Sequence, residues 1–164
     1  MTLVVEDGSG LTTAESYASV AAADARHSAL GNSAWTGTEA VKEAALRRAT
    51  AFMEQRFRSN WRGTRLTRAQ ALSWPRYAVE VEGWCVASNE VPADVVNACI
   101  DLALRALTED LNPDIERAVI REKVGPLEIE YSAHSPQAKR YSAVTQALAP
   151  YLMGSGANRF VVRA

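Results

Sequence analysis

Few side chains in this sequence are of the kinds that carry out chemistry. The two histidines, His27 and His134, are far apart, and neither lies in an HExxH or similar metal-binding pattern. Asp94 and Asp101 are one helical heptad apart, a spacing that a solvated helix face explains. Glycines and serines do not form a GxGxxG, P-loop or GxSxG pattern. The sequence therefore predicts no catalytic residue, no metal site and no cofactor, and an enzyme is not expected.

The two cysteines, Cys85 and Cys99, also lack the spacing of metal ligands. They suit a reducing compartment, although a single pair can in principle form a disulfide. Cys99 falls in an apolar helical run, where a small buried side chain is expected. No apolar stretch approaches the roughly 18 residues of a membrane span. The N-terminal MTLVVEDGSG has no basic region and turns acidic at once, which predicts an intracellular protein without a signal peptide.

Arginines, which bind phosphates and carboxylates, are concentrated in one part of the chain. Residues 47–76, the arginine-rich segment, contain eight arginines against the single acid Glu54, a net charge of +7. Residues 77–116, the acidic segment, contain nine acidic residues against Arg105, a net charge of −8. The total charge of −1 hides this opposition, so the distribution of charge is more informative than its sum.

Three interpretations of the two charged segments are open. The arginine-rich segment is a phosphate-binding patch in the first, with Phe57, Trp61 and Trp74 as stacking platforms for bases. In the second, the positive flank of one copy meets the negative flank of the next in a head-to-tail interface. In the third, the segments neutralise each other within one subunit or simply solvate two helices.

Helices must position most of these side chains, because the chain has the apolar spacing of amphipathic helices. The length of 164 residues fits one domain, and the pattern predicts a mainly α fold, a small bundle of four to five helices. Trp35 is expected to anchor a loop to the core, and a short helical turn is expected from Thr67 to Ser73-Trp74-Pro75. The long helices are predicted from Ser19 to Gly31, from Thr38 to Phe57, from Pro92 to Asn112-Pro113, and from Ser135-Pro136 to Ala149-Pro150. The expected core face of the second is Val41, Ala45, Leu46, Ala49, Phe52, Met53 and Phe57.

Residues 121–132, REKVGPLEIEYS, break the helical pattern. Leu127, Ile129 and Tyr131 alternate with polar residues, which predicts a half-buried strand. Gly125-Pro126 allows a hairpin whose first strand covers 118–123, so a strand or hairpin arm is expected at about 118–132. Two strands alone are barely stable in water. The arm therefore either covers its own bundle or completes its hydrogen bonds against another subunit.

The last residues form an apolar tail after a flexible GSGAN joint, which divides the chain into a helical domain over 1–157 and a tail over 158–164. Phe160, Val161 and Val162 are bracketed by Arg159 and Arg163, although chain ends are normally polar. This arrangement suits docking into an apolar groove with acidic rims. The alternative is that the tail folds back onto its own bundle.

Four stretches together carry a resemblance to a known family. They are VVEDGSGLTTAESYASVAAADA, ALSWPR at 71–76, VPADVVNACIDLALRAL at 91–107, and REKVGPLEIEYS. Their sequence and order resemble head–tail connector (adaptor) proteins of tailed phages, a family often labelled DnaT-like single-stranded-DNA-binding proteins. The likeness extends from about residue 3 to residue 152.

The resemblance implies a structural protein that forms a dodecameric ring beneath the capsid portal. Such a ring extends the channel for double-stranded DNA and binds the portal protein, a tail or stopper protein and its own copies. It belongs to the virion at the head–tail junction and to the host cytoplasm during assembly, with no membrane partner. The expected subunit or tail interface is Arg56, Arg62, Arg65, Arg121, Lys123, Leu127, Ile129 and Tyr131, and the expected portal contact is Arg159, Phe160, Val161, Val162 and Arg163. The alternative is a single-stranded-DNA-binding protein that uses the arginine-rich segment.

Overall fold

Helices account for most of the regular structure. The computed structural model describes residues 2–113, 121–124, 127–130 and 141–154. Within these ranges lie four α-helices, and a single 3₁₀ turn, Ala149–Tyr151, follows the last of them. They are α1 (Val20–Ala29), α2 (Glu39–Phe57), α3 (Ala93–Ala106) and α4 (Ser142–Leu148). The predicted mainly α fold is therefore confirmed.

The strands form three separate two-stranded antiparallel ladders in the described part of the chain. β5 (Arg121–Val124) pairs with β6 (Leu127–Glu130), and Val124 lies opposite Leu127. This confirms the predicted hairpin, with its first strand ending one residue later than expected. The other ladders were not predicted, because strands of two residues are too short to show an alternating pattern. They join β1 (Thr64–Arg65) to β2 (Arg76–Tyr77), and β3 (Glu80–Val81) to β4 (Trp84–Cys85).

Local signals set the helix starts and one helix end. The hydroxyl of Ser19 accepts a hydrogen bond from the backbone N–H of Ala22 at 3.1 Å, which caps α1. Gly31 follows that helix with φ of +68°, a left-handed conformation that glycine adopts without a steric penalty. Thr38 is extended and precedes α2, although its side chain makes no capping bond. The predicted boundaries of α1 and the predicted start of α2 are confirmed.

Other boundaries differ from the sequence predictions. The stretch after Thr67 is not helical, although the side chains of Thr67 and Gln70 bond reciprocally to each other's backbone N–H at 3.1 and 2.8 Å, as at the start of a helix. α3 ends at Ala106, well before Asn112-Pro113, in a turn where the carbonyl of Arg105 accepts from two following N–H groups. The predicted start of the last helix lies outside the described residues.

The core lies mainly between α2 and α3, with α1 against α2 and α4 against α3. Alanines at the contact allow the helix backbones to approach closely, while Leu46, Met53 and Leu102 fill the space between them. Trp35 is buried and anchors its loop as predicted, but Val41 is exposed and does not belong to the core face of α2. The buried residues of α2 and α3 are Glu43, Ala45, Leu46, Ala49, Thr50, Met53, Phe57, Val95, Ala98, Cys99, Ile100, Leu102, Ala103 and Ala106.

An aromatic cluster closes the core beyond the end of α2. The ring of Trp61 lies 5.9 Å from Phe57 and 5.7 Å from Trp74, and Trp74 lies 5.8 Å from Tyr151. The last two contacts are edge-to-face, an arrangement that favours the electrostatics of aromatic rings. Backbone hydrogen bonds from Arg62 to Tyr151 and from Met153 to Asn60 tie the end of the described chain to this cluster.

Candidate functional site

Two arginines of the arginine-rich segment form bonds within the protein that stabilise its fold. Arg47 pairs with Glu15 at 3.0 Å and with Glu43 at 3.3 Å. The guanidinium of Arg76 is buried and donates to the backbone carbonyls of Arg62 at 2.6 Å and Gly63 at 2.7 Å, among others. Burial lowers the pKa of Arg76, but an arginine stays protonated at any physiological pH. Neither side chain is available to bind a phosphate.

Arg62 and Arg65, both predicted interface residues, also bond within their own subunit. The exposed Arg62 side chain donates to the carbonyl of Leu152 at 3.0 Å and to that of Glu80 at 3.1 Å. Arg65 is half-buried, and its guanidinium donates to the carbonyl of Gln70. Their roles between subunits stay a prediction, but both residues already hold the loops that follow α2.

The proposed stacking platforms are not on the surface. Phe57, Trp61 and Trp74 are at most 5% exposed and belong to the aromatic cluster, so the prediction that they stack on bases is wrong. The physical reason is that the transfer of a large apolar ring from water into the core lowers the free energy of the folded protein. The apolar spacing of α2 already included Phe57 and could have indicated its burial.

Three adjoining depressions lie along the outer face of α2, two of them between this helix and α4; together we call them the α2–α4 groove. Its middle section has a volume of about 340 Å³ and is lined by Phe52, Arg56, Phe57, Tyr141, Ser142, Thr145 and Gln146. A section of about 460 Å³ shares Arg56 and Phe57 and extends to Leu152 and Met153. A section of about 250 Å³ shares Phe52 and extends to Arg48 and Asp110. The shared lining residues show that the three sections adjoin one another.

The α2–α4 groove has an aromatic wall and a largely positive rim. Phe52 is half-buried and meets Tyr141 edge to face at 5.3 Å. The guanidinium of Arg105 lies 5.2 Å from the centre of the Tyr141 ring. Arg48 and Arg56 are exposed, and their guanidinium groups form no ion pair with a described carboxylate. The groove can therefore accept an apolar or aromatic group that belongs to an anionic chain.

The ladder of β3 and β4 carries the most exposed large apolar side chain in the described part of the protein. Glu82 and Gly83 form its two-residue turn, with φ values of +54° and +84°, the combination that matches the twist of a hairpin. Trp84 follows the turn and is 80% exposed. Glu80 and Glu82 are also exposed, so we call residues 80–85 the acidic hairpin.

The acidic hairpin is fixed to the body of the protein at its base. The backbone N–H of Val86 donates to the carbonyl of Val79 at 2.9 Å, and Arg62 donates to the carbonyl of Glu80. Val81, which lies opposite Trp84 in the ladder, packs against the core. The hairpin therefore presents Trp84 on a rigid support.

Further acids surround the base of the acidic hairpin. The hydroxyl of Tyr151 donates to Asp94 at 3.0 Å. Burial, the bond to Asp94 and the nearby charges of Glu82 and Glu90 raise the pKa of Tyr151 to about 12. Since these carboxylates all act on one hydroxyl, Glu82, Glu90 and Asp94 form one negative surface at the base of the hairpin.

Among the described residues, Arg47 of one charged segment and Asp101 of the other form ion pairs outside both segments. Arg47 binds Glu15 and Glu43, and Asp101 accepts a bidentate pair from Arg26 at 2.9 and 3.0 Å. These partners belong to neither segment. The contacts do not support the interpretation that the segments neutralise each other within one subunit.

The remaining predicted site residues divide into two groups. Arg121 and Lys123 lie on β5, and Leu127 and Ile129 lie on β6, in a ladder that pairs Lys123 with Glu128. Tyr131 and the five predicted portal-contact residues, Arg159, Phe160, Val161, Val162 and Arg163, lie outside the described residues. The roles of all of them stay predictions.

Groups with potential chemical reactivity are dispersed or buried. No set of three His, Cys, Asp or Glu residues in the described ranges is placed to hold a metal ion. His27 is buried against Trp35, and burial lowers the pKa of its imidazole. Both cysteines are free thiols, and burial raises the pKa of Cys99, while Cys85 is exposed. None of the helices within the described ranges has the length and apolar character to cross a membrane.

Comparison with known proteins gives one match. A family model described as "Putative DnaT-like ssDNA binding protein" matches residues 1–164, the whole sequence given. No curated protein and no solved structure shows a significant match. The family model thus covers both the α2–α4 groove and the acidic hairpin, without assigning a role to either.

Proposed function

Because the chain belongs to the family of DnaT-like ssDNA-binding proteins, we propose that it binds single-stranded DNA in the α2–α4 groove. The observation that carries this proposal is the rim of exposed Arg48 and Arg56 beside an aromatic wall. Proteins that bind single strands without sequence preference combine a positive groove with aromatic rings. The proposed site is thus a small part of the arginine-rich segment.

The strand would run along α2. Arg48 and Arg56 are eight residues apart, which places them about 12 Å apart along the helix axis and 80° apart around it. Both can therefore contact phosphates of one strand that are separated by more than one nucleotide. Phe52 lies between them at the groove, where its ring can contact a base. Arg105, which lies over the ring of Tyr141 but does not line the groove, adds a positive charge nearby. Asp110 at one end of the groove limits the site in that direction, because a carboxylate repels phosphate.

The salt dependence of binding should reflect this small number of contacts. Each phosphate contact to a single strand contributes a slope of about −0.7 in the logarithm of affinity against the logarithm of salt concentration. Two or three arginines predict a slope of roughly −1.4 to −2.1. A slope several times steeper would mean that most arginines of the arginine-rich segment contact phosphates. That result would disagree with the structure, in which Arg47 and Arg76 bond within the protein.

Fluorescence anisotropy of a labelled oligothymidine, measured from about 50 to about 200 mM salt, tests the proposal. Arg56→Glu should weaken binding at least fivefold and flatten the salt slope. Arg68→Glu is the matched control, because Arg68 is exposed but does not line the groove. Equal affinities of the wild type and Arg56→Glu, or no binding at the lowest salt concentration, would contradict the proposal.

A head–tail connector is the second candidate, and Trp84 favours it. The exposed glutamates beside Trp84 would repel phosphate, whereas the exposed tryptophan is of a residue type that is enriched in protein–protein interfaces. In this proposal the protein acts by binding and not by catalysis, as a dodecameric ring at the head–tail junction of a virion. Its partners are the portal protein, a tail or stopper protein and its own copies, with residues 158–164 on the portal. Double-stranded DNA passes through the channel without sequence-specific contacts.

The defect of a phage that lacks the protein distinguishes the two proposed functions. The connector proposal predicts DNA-filled or leaking heads together with normal, unattached tails. A defect confined to DNA replication would instead favour the single-stranded-DNA proposal. Electron microscopy of the purified protein with and without the portal should show a ring if the connector proposal holds, and the absence of any ring on the portal would count against it.

A further inference from the structure

Trp84 is placed as a ready-made anchor for a protein contact. Its side chain is 80% exposed, more than any other large apolar side chain in the described ranges. Tryptophan is enriched among the residues that dominate interface affinity. Trp84 directly follows the two-residue turn of the acidic hairpin, and Val81, its partner across the ladder, packs against the core. Since this support is rigid, little conformational entropy is lost when the ring is covered.

The α2–α4 groove has the complementary properties. Its middle section of about 340 Å³ would hold roughly eleven waters at ~30 Å³ each, enough for an aromatic side chain. The walls are aromatic, and Arg48 and Arg56 are positioned to meet carboxylates at the rim. The acidic hairpin supplies such a carboxylate on Glu82, in the turn directly before Trp84, and Glu80 adds negative charge on the opposite face of the ladder.

We propose that the acidic hairpin of one copy docks into the α2–α4 groove of a second copy. Trp84 enters the section lined by Phe52 and Tyr141, and Glu82 approaches Arg56. Because the two surfaces differ, the contact is head-to-tail and repeats from copy to copy into a ring or a filament. This self-association goes beyond single-stranded-DNA binding, and the two compete because they use the same groove.

Charge identifies a second copy as the occupant of the groove. The chain's own residues 158–164 carry Arg159 and Arg163, which the arginines at the rim would repel. The acidic hairpin carries the opposite charge and an apolar anchor, and each copy supplies one hairpin and one groove. In a head-to-tail assembly, every copy that has a neighbour on each side therefore uses both its acidic hairpin and its α2–α4 groove.

Sedimentation velocity of the full chain over a range of concentrations tests the contact. Trp84→Ala and Arg56→Glu should each raise the dissociation constant for self-association about 30-fold or more, the scale of an interface hot spot. Leu30→Ala and Arg68→Glu change exposed residues outside both surfaces and should associate like the wild type. Wild-type association of Trp84→Ala would overturn the proposal, as would a wild type that is monomeric at all concentrations.

Mixing the two defective variants tests the head-to-tail geometry. Trp84→Ala retains an intact groove, and Arg56→Glu retains an intact hairpin. An equimolar mixture should therefore form a dimer of one copy each and nothing larger, because the free ends of that dimer are both defective. Absence of the mixed dimer would contradict a head-to-tail contact. Loss of association on deletion of residues 158–164, with Trp84→Ala unaffected, would assign the groove to the tail.

The same variants separate this inference from the DNA proposal. Oligothymidine should dissociate the wild-type assemblies, and Trp84→Ala should bind it at least as tightly as the wild type while failing to associate. If oligothymidine binds as proposed but neither variant alters association, the inference fails and the DNA proposal stands. If the variants abolish association but the wild type does not bind oligothymidine, the DNA proposal fails and the self-association remains.

Discussion

Trp74 and Trp84 are ten positions apart and have opposite environments. Trp74 is fully buried, with Trp61 and Tyr151 against its ring edges, whereas Trp84 is 80% exposed on the acidic hairpin. Both lie near charged residues in the sequence, so local composition does not distinguish them. The difference shows that an aromatic residue near arginines indicates a binding site only when its ring is accessible.

The arginines divide in the same way. Arg76 is buried and donates to the backbone carbonyls of Arg62, Gly63 and Ser73. Arg56, in contrast, is exposed at the α2–α4 groove. Removal of a buried group should affect folding, and removal of an exposed group should affect binding. The stability of substituted proteins can therefore test the assignment of each residue to one region.

The largest effect is expected for Trp74. Trp74→Ala removes the ring at the centre of the aromatic cluster and should lower the free energy of unfolding by about 3–5 kcal/mol. Trp84→Ala, the matched exposed substitution, should change it by no more than about 0.5 kcal/mol. Urea unfolding of the monomeric proteins measures both values. Similar losses for the two variants would show that Trp84 also supports the fold.

A smaller loss is expected for Arg76. Arg76→Met fills similar space but leaves buried carbonyls without a donor, so the free energy of unfolding should fall by about 2–4 kcal/mol. Arg56→Met should be neutral within about 0.5 kcal/mol. Thermal and urea unfolding of the pair provide the comparison. A stable Arg76→Met protein would mean that water or other donors replace the guanidinium.

His27 should give the core a moderate pH dependence. Burial lowers its pKa in the folded state, so the unfolded state binds a proton more readily as the pH falls below about 6.5. Stability present above that pH should be lost towards pH 5, by at most about 1.4 kcal/mol per pH unit. Charges of Asp24, Arg26 and Asp101 also act on the imidazole, but the desolvation effect is the largest.

Unfolding curves at a series of pH values measure this dependence. His27→Gln keeps a polar side chain that does not titrate and should remove most of the loss between pH 7 and pH 5. An unchanged pH dependence in that variant would place the responsible group elsewhere, for example at His134, which lies outside the described residues.

Local signals in the sequence predicted the parts of the fold that neighbouring residues determine. Ser19 and Gly31 bound α1 as expected, and the alternation from Leu127 to Glu130 corresponds to β6. The end of α3 was predicted too late, because Pro113 marks where a helix cannot continue but not where it stops. Such signals act over a few residues, which is why they were accurate for the ends of α1 and for β6.

The binding surfaces depend on long-range packing and could not be predicted. The α2–α4 groove exists because Tyr141 meets Phe52, a contact between residues 89 positions apart in the sequence. The burial of Trp74 depends on Tyr151 in the same way. The acidic hairpin had one usable signal, since Glu82-Gly83 between Val81 and Trp84 has the form of a two-residue turn, but its short strands hide the alternation.

Acrylamide quenching of tryptophan fluorescence tests most directly whether the exposed region is the binding region. Of the four tryptophans, Trp35, Trp61 and Trp74 are at most 7% exposed, so only Trp84 should be readily quenched in the native monomer. As protein concentration rises, this quenchable emission should disappear, and oligothymidine should restore it; Trp84→Phe should lack it throughout. Emission from Trp84 that stays fully quenchable at concentrations where the protein is associated would contradict the account.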